Sequence, residues 1–159
     1  MFLYVHVDFF TSKDLELHNR LQKIFNLKIN DHSYLMRNEP FVEEITVRYA
    51  YWRKANHIHK YFVDNFGFKE NNTKYDCEYD KLMIFKDVLG DLLSSKSKNL
   101  AEKILPRMKG HYFGDQSIDE YSADSLYWND LEYTFKILND LENIINIFAN
   151  TKILYKAHW

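Results

Sequence analysis

Only 4 glycines and 2 prolines interrupt the 159 residues of this chain. It therefore has few places to turn tightly or to break a helix. Such a chain is built from regular elements with short connections. Apolar residues are 46% and charged residues 28% of the total, both near globular averages. The length suits one domain, and residues 1–159 are read as one.

The patterning follows suit. From Phe2 to Phe10 apolar and polar residues alternate. Leu3, Val5, Val7 and Phe9 share one face, and Tyr4, His6 and Asp8 the other, as in a half-buried strand. Leu17, Leu21, Ile24 and Phe25 recur at helical spacing, giving a helix to about Asn26. Residues 29–40 read as a loop and Phe41 to Tyr49 as a second strand. Helices are predicted over Tyr51–Asn65, stopped by Gly67, over Asp80–Leu93, and over Leu100–Leu105, stopped by Pro106. Residues 69–74 form a polar connection and 107–123 the longest irregular segment. A long helix over Asp124–Ala149 buries Leu131, Phe135, Leu138, Leu141, Ile145 and Phe148. Ile153 to Trp159 is a last strand, expected to pair with the N-terminal strands. The fold class is α+β: a small antiparallel sheet packed with several helices, including the long C-terminal one.

Formal net charge is −2, so the chain as a whole offers no basic face and nucleic acid is not expected as a partner. Charge is nevertheless uneven. Lys96–Lys109 holds five basic residues and one acidic, and Asp115–Glu142 eight acidic and one basic, which reads as solvated helix faces. The single cysteine, Cys77, forms no internal disulfide and fits a reducing compartment. No apolar run approaches the ~20 residues of a membrane span, and no signal peptide is read at the N-terminus.

The densest chemistry lies in Tyr51-Trp52-Arg53-Lys54-Ala55-Asn56-His57-Ile58-His59-Lys60-Tyr61-Phe62. On a continuous helix, Trp52, Ala55, Asn56, His59, Phe62 and Val63 share an apolar face. Arg53, His57 and Lys60 lie on the next one. Two readings of Asn56 and His59 are open: a structural network satisfies them, or a ligand does. Arg, Lys and His beside a Trp suit a phosphate carrying a base, since Arg forks onto phosphate and Trp stacks on rings.

His57 and His59, two apart, point about 200° apart on a helix, so no metal site is expected. Cys77 would be a thiolate nucleophile only beside a helix N-terminus and His57 or His59. The segment Gly110-His111-Tyr112-Phe113-Gly114, continuing to Ile118-Asp119-Glu120-Tyr121, either closes over a ligand or plugs the core through Tyr112 and Phe113. No Walker A, dinucleotide or Gly-x-Ser-x-Gly motif is present, and no cofactor is expected.

Tyr51-Trp52-Arg53-Lys54-Ala55-Asn56, Ile58-His59 and Tyr61-Phe62-Val63 together resemble the YWRKAN-x-IH-x-WFV signature of an uncharacterised bacteriophage protein family. Asp76-Cys77, Leu105-Pro106, Gly110, Tyr112-Phe113-Gly114, Asp119-Glu120-Tyr121, Asp130-Leu131 with Thr134, and Ala157-His158-Trp159 follow in the same order. The likeness covers roughly residues 42–159; His111 and Ile118 stand where that family more often has aromatics. The resemblance implies a phage product acting in the cytoplasm of the infected bacterial host. Small phage proteins of this kind often counter host defence, some by sequestering nucleotide-derived signals.

The leading expectation is a binding module, not an enzyme, that sequesters a nucleotide-like small molecule. Arg53 and Lys54 would meet phosphate, Trp52, Tyr112 or Tyr121 would stack on a base, and Asn56, His59 and Asp119 would hydrogen-bond it. His57 and His111 complete the candidate set. The alternatives are a nucleotide hydrolase using His57 and His59 or Asp119 and Glu120, and an inhibitor of a host protein acting through an aromatic patch. Homo-oligomerisation fits all three.

Overall fold

The computed structural model describes residues 1–8, 44–108, 118–147 and 151–158. In chain order they form β1 (Phe2–Asp8), β2 (Glu44–Tyr51), α1 (Asn56–Phe66), β3 (Lys74–Asp76), α2 (Tyr79–Ser95), α3 (Lys98–Ile104), α4 (Leu126–Ile147) and β4 (Thr151–Lys156). The strands make one antiparallel sheet in the order β2-β1-β4-β3. The fold is α+β, with a small sheet and a long C-terminal helix, and β4 pairs with β1 as expected.

Alternation along β1 survives in the sheet. Leu3, Val5 and Val7 are buried, and Phe2, Tyr4 and His6 stand on the other side, only half-buried. Ile153 and Tyr155 on β4 share the buried face. Helices α1, α2 and α4 pack against it through Ile58, Phe62, Leu82, Phe85, Leu131 and Leu138.

The aromatic richness goes largely into this core. Phe62 stacks on Tyr155 at 3.9 Å, and Phe68 stacks on Tyr75 at 4.4 Å. Phe85 meets Phe62 edge-on at 6.0 Å and lies flat on Tyr61 at 3.7 Å. Offset and edge-on ring pairs each add about 0.5–1.5 kcal/mol beyond area burial. The column joins α1, α2, β3 and β4.

The element limits differ from the sequence reading in instructive places. Helix α1 begins at Asn56, not Tyr51, because Tyr51 still belongs to β2. Trp52 extends the ladder: its N–H donates to the Met1 carbonyl and its carbonyl accepts from the Met1 ammonium, both at 2.9 Å. Lys54 then takes φ +62°, which no helix allows. Gly67 stops α1 in the left-handed region at φ +70°, and its N–H donates to Val63 O.

The predicted polar connection 69–74 runs into β3, a strand too short to show a period. Helix α2 runs two residues beyond its expected end, to Ser95, and α3 starts two before its expected start, at Lys98. The helix expected near Leu17–Phe25 and the loop over 29–40 lie outside the described residues, as do Phe9 and Phe148.

Phe62 is the hub of the ring column and fully buried. Replacing Phe62 by Ala is expected to cost about 3–5 kcal/mol. Urea unfolding should show a lower midpoint at unchanged slope. A loss under about 1 kcal/mol would mean that the column does not hold α1 to the sheet.

Candidate functional site

The β2–α1 turn carries the chemistry. Trp52 is buried, its indole N–H donating to Thr134 Oγ at 2.8 Å. Thr134 in turn donates to the Asp130 carbonyl at 2.6 Å, a bond one helical turn back along α4. Arg53 and Lys54 are exposed on the turn itself. The first residues of α1, Asn56 and His57, are buried at 2% and 0% exposure. Ala55, the residue that precedes α1, gives no side-chain cap, and the first turn of the helix holds no acidic residue.

His57 Nε2 faces Asp130 Oδ2 at 3.8 Å, too long for a hydrogen bond. The His57 ring lies against Tyr127 at 4.3 Å, and Tyr127 is fixed by donating to the Leu105 carbonyl. Among the described residues, Asn56 Oδ1, both His57 ring nitrogens, Ser125 Oγ and Asp130 Oδ2 are buried with no hydrogen-bond partner. Each such group carries a desolvation penalty of about 1–3 kcal/mol.

Burial sets the protonation states. It pushes the Asp130 carboxyl up to about 7 and the His57 imidazolium down to about 3. At neutral pH His57 is uncharged and Asp130 is poised between acid and carboxylate. A tunable acid thus faces a neutral base at 3.8 Å, just beyond direct hydrogen-bond reach.

The sequence candidates divide into four groups. Asn56 and His57 belong to this buried set, with Arg53 and Lys54 at its rim. Trp52 and His59 do not: Trp52 is spent on Thr134, and His59 shares a 2.8 Å hydrogen bond with the Tyr155 hydroxyl inside the ring column. The expectation of Trp52 stacking on a base is therefore corrected. So is the shared face of Arg53 and His57, because Arg53 precedes the helix. Asp119 and Tyr121 are exposed ahead of α4, as is Glu120. The Asp119 carbonyl accepts from the Trp128 indole, and the Tyr121 hydroxyl donates to Glu132. His111 and Tyr112 lie outside the described residues.

Asp130 and Ser125 were missed. Asp130 lies at the edge of the helical stripe Tyr127, Leu131, Thr134 and Leu138 with its side chain still 22% exposed, so spacing alone does not mark its inner oxygen as buried. Cys77 is buried and its thiol is pushed up by that burial, which disfavours the thiolate a nucleophile needs.

Among the described residues no helix is long and apolar enough to cross a membrane, and no three His, Cys, Asp or Glu gather as a metal set. No family model, curated protein or solved structure matches the chain.

A carboxyl raised by burial opposes folding as pH rises from its unfolded value through 7, because the folded state then holds a proton the unfolded chain has released. Asp130→Asn removes that burden. Its melting temperature is expected to exceed wild type at pH 8, by about 2–4 °C for each kcal/mol relieved, and to approach wild type at pH 5. Scanning fluorimetry at both pH values checks this, and equal destabilisation at both would show Asp130 to be a structural anchor.

Proposed function

We propose that this protein binds and holds a small, nucleotide-derived anion at the β2–α1 turn, as a phage product that withdraws a host immune signal. The observation that carries the reading is a group of buried atoms, Asn56 Oδ1, both His57 ring nitrogens, Ser125 Oγ and Asp130 Oδ2, that lack hydrogen-bond partners among the described residues. Folding alone disfavours leaving such groups bare, and a polar ligand supplies what the protein does not.

The rim fits the charge of such a ligand. Arg53 and Lys54 stand beside the start of α1, which has no side-chain cap and whose dipole favours phosphate. Asn56, His57 and Asp130 then hydrogen-bond a base or ribose. The resemblance of Tyr51–Val63 to the phage signature falls on this same turn.

One observation favours a second reading, a hydrolase. His57 and Asp130, 3.8 Å apart, pair a neutral base with a carboxyl near 7, the arrangement acid–base chemistry needs. His59 and the Asp119–Glu120 pair supply no equivalent.

Both readings meet one experiment. The protein is mixed with mono-, di- and cyclic nucleotides and ADP-ribose derivatives, examined by native mass spectrometry, then heated and the released ligand analysed. Sequestration returns the ligand intact, and hydrolysis returns it altered. Arg53→Ala should weaken binding roughly tenfold to a hundredfold, as expected for one charged hydrogen bond, with melting unchanged. Absence of any nucleotide adduct would sink both readings.

A further inference from the structure

The described helices cover one face of the sheet, and the other face gathers cations and rings. On that face Phe2 and Tyr4 of β1 neighbour Arg48 and Tyr51 of β2. Leu154 and Lys156 of β4, then Lys74 of β3, continue the surface. The register sets Lys74 directly opposite Lys156. Like charges so placed repel and destabilise the pair. Neither Lys74, Lys156, Arg48 nor Lys152 forms an ion pair with a described acidic side chain. Asp76, opposite Leu154, is the acidic residue nearby, and the register places Asp8 and Glu44 together at the far end of the β1–β2 ladder.

The rings are held rather than loose. Tyr51 stacks on Phe2 at 5.1 Å and keeps 52% of its surface exposed. Arg48 lies over Phe2 at 4.4 Å, and Lys74 over Tyr4 at 4.7 Å. Tyr4 is 6.2 Å from Phe2, ring centre to ring centre. Phe2 thus sits between two tyrosines with polar tips, with Arg48 over Phe2 itself and Lys74 over Tyr4.

We propose that this sheet face is a second binding surface, a platform for single-stranded nucleic acid, with Tyr51 and Tyr4 stacking on bases and Arg48, Lys74, Lys152 and Lys156 meeting phosphates. Single strands are bound by this combination of ring faces and a cationic track. Duplex bases follow one another at about 3.4 Å, closer than these rings lie to one another, so the platform suits bases splayed apart. An acidic polypeptide would use the cations and leave both tyrosines idle. The anionic strand also relieves the Lys74–Lys156 repulsion.

The test is fluorescence anisotropy of the full chain with labelled oligo-dT and oligo-U of about 12 nucleotides, against a duplex of equal length. Salt is varied between about 50 and 200 mM. Single strands are expected to bind at least about tenfold tighter than duplex, with a log–log salt slope near about −3 for four phosphate contacts. Tyr51→Ala should weaken binding about tenfold, and Lys156→Glu should weaken it and flatten the slope by about one. Both positions leave the helical core untouched, and thermal melts confirm folding. The proposal is overturned by no binding at the lowest salt, by equal affinity for duplex, or by wild-type affinity in both folded variants. Equal competition by poly-glutamate would overturn it too, and would reassign the face to acidic polypeptides.

Discussion

The seating of Trp52 governs the region where sheet meets helix. Its backbone pairs with Met1 and so prolongs the β1–β2 ladder, while its indole N–H reaches Thr134 on α4. One residue thus ties the sheet to the longest helix. The chain must then turn within Arg53–Ala55 to enter α1, and it does so with Lys54 at φ +62°. A non-glycine residue there is uncommon and carries strain. The strain persists because the anchors on either side leave the turn no alternative. What the turn delivers is the start of α1, with Asn56 buried and His57 set against Tyr127 and Asp130 of α4.

Two histidines separated by one residue meet opposite fates. His59 enters the ring column and shares a hydrogen bond with Tyr155. Burial, and then the nearby N-terminal charge, lower it to about 4. His57 is equally buried but faces Asp130 without closing a hydrogen bond. The first arrangement is a core group held by a hydrogen bond through Nδ1. The second is an uncompensated one, and uncompensated burial is where a protein gives up stability for another purpose. Both rings are shut away from water, so the difference between them lies in their hydrogen bonds alone.

The sheet divides the remaining aromatics in the same way. Tyr155 and Tyr75 face the helices and pack as core, while Phe2, Tyr4 and Tyr51 face away among cations. A chain-wide charge of −2 conceals this, because acidic residues concentrated over Asp115–Glu142 offset lysines that the sheet brings together from neighbouring strands. Local field, not net charge, decides what such a face attracts.

Local pattern alone determined much of the fold. The alternation of Leu3, Val5 and Val7 specified a one-sided strand, and the helical spacing around Leu82–Leu92 and Leu131–Leu141 specified α2 and α4. Short-range spacing suffices there because each element buries one stripe of its own residues. The start of α1 was misread because apolar spacing runs unbroken from Trp52, while the bonds that hold Trp52 in the sheet come from Met1, 51 residues away. Strand β3, three residues long, exists only by pairing with β4. Asn56 and His57 were legible as candidates from composition and position. Asp130, which faces His57, was not, because a carboxylate on a helix reads as solvated until the fold places a buried histidine 3.8 Å from it. Tertiary structure decided the site for a simple reason: desolvation and unmet hydrogen bonds arise only once distant segments exclude water together.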